Sequence, residues 1–247
     1  MRRERVMATA KALADVLARV AAACARAKRS TADVRVVAVG KTKPASALRE
    51  CYDAGQRAFG ENYVQELLEK APELPSDVRW HFIGHLQSNK AKALIEGVPN
   101  LSTIETMDSK KLASKVNAAL EGRARERVRV LVQVNTSGEE SKFGVEPTDC
   151  VELARYIKEE CPRLVFGGLM TIGMPDYTSK PENFETLRKC REDVCAALGI
   201  GLDECELSMG MSGDFENAIE MGSTNVRIGS TIFGAREYPT TVAPTGA

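Results

Sequence analysis

Residues 36–44 read Val36-Val37-Ala38-Val39-Gly40-Lys41-Thr42-Lys43-Pro44. A run of β-branched and small apolar residues ends in a glycine, and two lysines follow at once. Such a run spells a buried strand that stops at Gly40. Lys41 then stands at the strand's carboxyl end, which is where α/β folds handle ligands. Taken alone, the segment fits two solvated charges ahead of a helix just as well, since most lysines stay in water. What stands elsewhere in the chain decides between the two.

The same grammar repeats along the whole chain. Strand-like runs lie at 34–39, 57–61, 79–84, 101–105, 128–135, 164–172, 205–210 and 225–229. Helix-like stretches lie between them at 45–54, 62–70, 87–96, 109–121, 148–160, 182–198 and 213–221. Leu112, Val116, Ala119 and Leu120 make one apolar face, and Phe184, Leu187, Val194 and Leu198 make another. Alternation of this kind predicts a parallel sheet. Eight strands in about 250 residues predict a closed (β/α)8 TIM barrel. A doubly wound open sheet is the other candidate, but no GxGxxG follows the first strand. No repeat, low-complexity tract or linker divides the chain, so 1–247 reads as a single domain whose last residues, 239–247, form a flexible tail. Residues 1–30 form an extra amphipathic helix with Val6, Leu13, Val16, Leu17, Val20 and Cys24 on one face. Its arginine-rich, alanine-rich composition also suits a mitochondrial transit peptide, against which Glu4 and Asp15 argue.

Composition removes several classes of function. Lys+Arg and Asp+Glu both number 34, so nothing calls for nucleic acid or an anionic membrane as partner. No apolar run reaches the roughly 20 residues of a membrane span. The seven cysteines are odd in number and contain no CxxC pair, which reads as reduced thiols of a cytoplasmic protein. His81 and His85 are the only histidines, too few for a multi-histidine metal site. They read as one inward-facing polar residue and one loop residue.

In a barrel the eight strand ends meet at one mouth. Lys41 follows the first strand, and Gly60-Glu61-Asn62-Tyr63 the second. The seventh ends in Met211-Ser212-Gly213, and the eighth carries Arg227 before Gly229-Ser230-Thr231. Barrels commonly bind phosphate on the loops after strands 7 and 8, where glycines expose backbone N–H groups to an anion. Ser212 also stands where the helix over 213–221 begins, so N-capping is an equal reading of it. Arg227 interrupts an apolar strand; it is either paired with Glu220 or Asp214 or aimed into the mouth. A strand-end lysine, a phosphate cup and an inward arginine suit a phosphorylated aldehyde held as a Schiff base. Pyridoxal 5′-phosphate (PLP) and a sugar-phosphate aldehyde both answer to that description.

Six segments carry a resemblance: 39–44, 59–66, 80–87, 168–173, 207–212 and 226–234. Among them stand Val39-Gly40-Lys41-Thr42-Lys43-Pro44, Phe59-Gly60-Glu61-Asn62-Tyr63-Val64-Gln65-Glu66 and Leu207-Ser208-Met209-Gly210-Met211-Ser212. The chain resembles, in order from about residue 5 to Tyr238, the pyridoxal phosphate homeostasis protein family, also called the proline synthetase co-transcribed homologue family. The runs at 66–70 and 135–142 look like its eukaryotic members. The resemblance implies a barrel of the alanine racemase N-terminal type that binds PLP. It places the Schiff base on Lys41, the arginine facing the ring nitrogen on Arg227, and the phosphate cup on Ser212, Gly229 and Ser230. Asn62 falls beside the cofactor, and Met211 contributes a backbone contact. The residue before the lysine is usually serine in relatives and here is Gly40, which implies a looser backbone and weaker retention.

Two functions compete. One is a PLP carrier in vitamin B6 homeostasis that passes the cofactor to PLP-dependent apoenzymes without turnover, as a monomer or weak dimer. The other is a PLP-dependent amino-acid racemase or related enzyme. The two-domain racemases resembling this barrel have a further β-domain that supplies a tyrosine base. Here the sequence stops soon after the eighth strand, and none of its five tyrosines has a claim to that role. The expectation is a protein without catalytic residues.

Overall fold

The computed structural model describes residues 2–123, 127–139, 143–172 and 181–235. Eight strands close on themselves in chain order, each parallel to its neighbours. They are β1 (Arg35–Val39), β2 (Ala58–Glu61), β3 (Arg79–Phe82), β4 (Leu101–Met107), β5 (Val128–Gln133), β6 (Leu164–Met170), β7 (Glu206–Met211) and β8 (Asn225–Ile228). The helices are α1 (Arg2–Arg26), α2 (Ala45–Asp53), α3 (Val64–Lys70), α4 (Ala91–Gly97), α5 (Lys110–Ala119), α6 (Cys150–Glu160), α7 (Pro181–Leu198), α8 (Phe215–Glu220) and α9 (Ser230–Phe233). The TIM barrel read from the alternation is the observed fold. Strand β1 pairs with both β2 and β8, with Val37 opposite Arg227. That closure brings the first and last strand ends side by side.

Two layers are buried. Outward strand residues such as Phe59, Ile104, Leu207, Val226 and Ile228 join the helices in one continuous apolar core. Each such side chain withdrawn from water contributes about 1.5–3 kcal/mol. The barrel interior mixes apolar side chains such as Val37, Leu131 and Met170 with a buried polar network. Glu105 on β4 reaches across to Ser208 on β7 and Asn225 on β8, contacts that only the lumen permits. Gly168 shows how tightly the staves meet: its φ is +139°, and a Cβ there would lie 2.1 Å from the Glu206 carbonyl oxygen.

Several local expectations are corrected. The segment 87–96 splits into a 3₁₀ turn (Ser88–Lys90) and α4. The helix expected over 213–221 is the shorter α8, and α9 follows β8 without a sequence signal strong enough to announce it. On α1, Leu13, Val16, Val20 and Cys24 are buried as expected, but Leu17 is 43% exposed. It lies at the margin of a stripe already filled by its neighbours. The side chain of Val6 and the expected tail at 239–247 lie outside the described residues. All seven cysteines are free and buried. Among the described residues, no helix is long and apolar enough to cross a membrane, and no cluster of three His, Cys, Asp or Glu residues could hold a metal ion.

Candidate functional site

At the carboxyl ends of the strands lies a cavity of about 500 Å³. Lys41, Asn62, Met211, Ser212, Arg227, Gly229 and Ser230, the seven residues singled out from sequence, all line it. Sequence reasoning missed its apolar walls, Ile83, Ile172 and Phe233. These sit just past strand ends or in the short α9, where periodicity gives no direction. A volume of this size suits a small molecule.

The lysine turn is built under constraint. Thr42 has φ of +63°, a backbone that β-branched residues avoid at a cost of order 1–3 kcal/mol. It persists because the surroundings fix it. The Thr42 N–H donates to Glu66 Oε2 at 2.9 Å. The buried Lys70 ammonium donates to that same oxygen at 2.6 Å, to Glu61 Oε1 at 2.9 Å and to the Gly40 carbonyl at 3.0 Å. Glu61 is fully buried; desolvation pushes its carboxyl up to about 7 against the pull of Lys70. This ion cluster behind the turn had no sequence signal, because Glu61 reads as a strand-end residue and Glu66 and Lys70 as ordinary charges on the helix over 62–70.

Gly40 is correspondingly not loose. Its N–H donates to the Gly60 carbonyl, and its own carbonyl accepts from both Lys43 N–H and Lys70. A Cβ would lie 2.7 Å from Glu61 Oε1 and from Leu48, so glycine here matches the packing of the ion cluster. Lys43 turns its ammonium to the Ala235 carbonyl at 2.6 Å.

Arg227 is buried at the cavity floor. Glu220 does not pair with it, being joined to Arg26 on the outer surface. Its guanidinium donates to Ser208 Oγ at 2.5 Å and to the Thr171 carbonyl at 2.6 Å. Ser208 in turn donates to Glu105 Oε2 at 2.5 Å; Asn225 Nδ2 donates to Glu105 Oε1, and His81 Nδ1 lies 2.6 Å from that oxygen. Burial raises the Glu105 carboxyl, but His81, the Arg227 charge and Ser208 together outweigh it and hold the group at about 2. Burial lowers Arg227, and the charges of Glu105 and Asp214 oppose that. The inward reading of Arg227 and His81 therefore holds, while the network tying them together spans four strands and is invisible in sequence. His85 sits on the loop after β3, paired with Asp108 and stacked on Phe143.

The glycine-serine loops meet on the cavity's third side. Ser212 does not cap α8, whose N-cap is Asp214. Its Oγ instead accepts from the Gly229 N–H at 3.2 Å and the Thr231 N–H at 3.5 Å, joining the loops after β7 and β8. Asp214 Oδ1 takes the Met211 N–H at 2.6 Å. Asn62 is backed by Gly84, where a Cβ would lie 1.9 Å from the Asn62 carbonyl oxygen and 2.7 Å from its Cα. Gly84→Ala should therefore push the Asn62 backbone aside and destabilise the fold by about 1–3 kcal/mol. Calorimetry checks this; an unchanged melting midpoint would mean the loops part freely.

A closed parallel barrel with a lysine after β1 and an arginine on β8 defines a class. The family model described as alanine racemase, N-terminal domain, matches residues 9–237, and the chain belongs to that family. Within it the chain stands among the pyridoxal phosphate homeostasis proteins. It is 52% identical over 238 residues to the human pyridoxal phosphate homeostasis protein, covering 92% of this chain and 86% of that one. Its counterpart in Caenorhabditis elegans is 46% identical over 236 residues, covering 92% and 96%. PipY of Synechococcus elongatus PCC7942, solved with PLP bound, matches at TM-score 0.74 and 32% identity, covering 92% of this chain and 100% of that chain. Alanine racemase from Corynebacterium glutamicum matches at TM-score 0.63 and 15% identity, covering 89% and 61%, a likeness of fold alone.

Proposed function

We propose that this chain binds PLP in the Lys41 cavity, holds it as a Schiff base on Lys41, and hands it to PLP-dependent apoenzymes in vitamin B6 homeostasis without turning over a substrate. The observation that carries the reading is the single cavity in which Lys41, the Ser212–Gly229–Ser230 loops and Arg227 stand around apolar walls. The residues fit the group. An aldehyde needs an amine, a phosphate needs N–H and hydroxyl donors, and an aromatic ring needs Ile83, Ile172 and Phe233 beside it. Asn62 Oδ1 is buried with no donor on it among the described residues, and a ring hydroxyl would supply one. Lys43 also lines the cavity, with its ammonium on the Ala235 carbonyl, and peptide mass mapping distinguishes the two lysines.

When bound, PLP supplies an electrophilic carbon and an electron-withdrawing ring. The protein tunes the second of these. An arginine opposite the ring nitrogen disfavours protonation there by charge repulsion, which leaves the ring a poorer electron sink. Arg227, which would face the ring nitrogen in this reading, is held at the cavity floor by Ser208 and the Thr171 carbonyl, with Glu105 bonded to the same Ser208. The names of the human and nematode relatives and the PLP-bound PipY support the cofactor and the homeostatic role.

Borohydride reduction of the PLP-loaded protein followed by peptide mass mapping tests the assignment. The expected product is a phosphopyridoxyl group on Lys41, absent from that position in Lys41→Ala. Modification of Lys43 alone, or of no lysine, would overturn it. Stereospecific α-proton exchange of amino acids in D₂O at enzyme-like rates would replace the carrier by a racemase.

A further inference from the structure

The opposite end of the barrel holds a larger basin, of about 1140 Å³. It opens at the amino ends of the strands, away from the Lys41 cavity. Arg35 begins β1, Arg57 precedes β2, Arg79 begins β3 and Arg129 lies at the start of β5; Arg29 and Arg191 complete the lining. Six guanidinium groups face three carboxyl groups, Asp33, Asp203 and Glu206, and no lysine lines the basin. This excess arises in a chain whose formal net charge is zero, so it is a local concentration of charge.

The internal partners do not use these groups up. Arg35 and Arg129 share one carboxylate, Glu206. Arg57 is paired with Asp77. Arg29 spends its hydrogen bonds on the carbonyls of Ile219 and Ser223. Arg79 is exposed, and neither it nor Arg191 makes an ion pair among the described residues. The Nε–H groups of Arg129 and Arg191 are buried without an acceptor among the described residues, which leaves the outer nitrogens of these guanidinium groups as the ones a ligand could meet. Guanidinium forks match carboxylates in two-point geometry. The wall of the basin also shows Leu17 and Leu202 to solvent, 43% and 49% exposed. A bare inorganic anion leaves such leucines without a partner, and the basin exceeds the roughly 300–1000 Å³ of small-molecule sites. Arginine beside exposed apolar groups is the composition of a protein interface.

We propose that the arginine basin at the amino-terminal end of the barrel docks an acidic, leucine-bearing segment of a partner protein, its carboxylates on Arg79 and Arg191 and its apolar side chains on Leu17 and Leu202. The site is independent of the Lys41 reading. Binding there leaves the Lys41 mouth uncovered.

The test is fluorescence anisotropy of the full chain with a labelled peptide alternating glutamate and leucine. A lysine–leucine peptide and inorganic tripolyphosphate serve as the other arms. The glutamate peptide should bind, weaken severalfold between 50 and 300 mM salt, and weaken at least tenfold in Arg79→Glu. Arg79 is exposed, so that variant should keep the wild-type melting midpoint and PLP loading. Leu202→Ser should weaken the peptide as well. Failure of the glutamate peptide to bind, binding unaffected by Arg79→Glu, or equal binding of the lysine peptide would overturn the proposal. Tight tripolyphosphate binding that Leu202→Ser leaves unchanged, with no peptide binding, would make the basin a small-anion site instead.

Discussion

Lys70→Met should cost about 3–5 kcal/mol at pH 8, and distinctly less at pH 5.5. The ammonium of Lys70 is bonded to Glu61, which has no exposed surface. Removing one member of a buried pair strands the other, and the measured price of that is about 3–5 kcal/mol. Glu61 has an escape, because burial already holds its carboxyl at about 7. Its folded pKa lies above the ordinary value of 4.5, so the native state favours the protonated form. Without Lys70 the preference strengthens. Below pH 7 the stranded group takes up a proton and the loss shrinks; above pH 7 it must stay charged or pay to bind one. The turn is affected too, since the Gly40 carbonyl loses a donor and Thr42 loses part of the frame that keeps it left-handed. The yield of modified Lys41 after borohydride should fall with stability. Urea unfolding at the two pH values decides the matter. A cost below 1 kcal/mol, or one equal at both, would mean that the cluster does not hold the turn.

Glu105→Gln should remove about 3 kcal/mol at pH 7 and about 2 kcal/mol at pH 3.5. The carboxyl stands at about 2 in the folded protein against 4.5 ordinarily, and each unit is worth 1.36 kcal/mol. The folded pKa is depressed, so its stabilisation is fully present above pH 4.5 and is lost as pH falls towards 2. Glutamine keeps the shape but not the charge that faces Arg227 and His81. The wild type and variant should therefore converge in acid. Parallel stability curves between pH 7 and pH 3.5 would show that the network is indifferent to the charge of Glu105. A shift in the absorption of bound PLP in the variant would report that Arg227 had moved.

The sequence was most legible where one residue type had one meaning. The Val36–Val39 run, the glycine-serine loops and Arg227 in an apolar strand each pointed to a barrel mouth, and their lining of one cavity follows from strand order alone. What stayed hidden depends on contacts distant in sequence. Glu105 reads as one more polar residue in the mixed run Leu101-Ser102-Thr103-Ile104-Glu105 until β3, β7 and β8 are placed around it. Lys70 reads as a helix-end charge until the fold sets it beneath Gly40. Of the two readings open for Ser212, capping fails for the opposite reason: the local pattern was correct chemistry, but the loop after β8 offers the Gly229 and Thr231 N–H groups to its hydroxyl. The arginines at 35, 57, 79 and 129 are scattered along the sequence and gather only when four strands begin at one rim.

The pairing of β1 with β8 also sets when the molecule becomes competent. Lys41 and Arg227 come from the two ends of the chain, and the contact that locks them, Arg35 opposite Asn225, spans most of its length. Helix α1 fastens onto α8 through Arg19 and Glu216, 197 residues apart. Parallel pairings of such separation form late. Until β8 docks on β1, Lys41 faces neither Arg227 nor the Gly229–Ser230 loop, so under the proposed reading cofactor binding reports closure of the barrel.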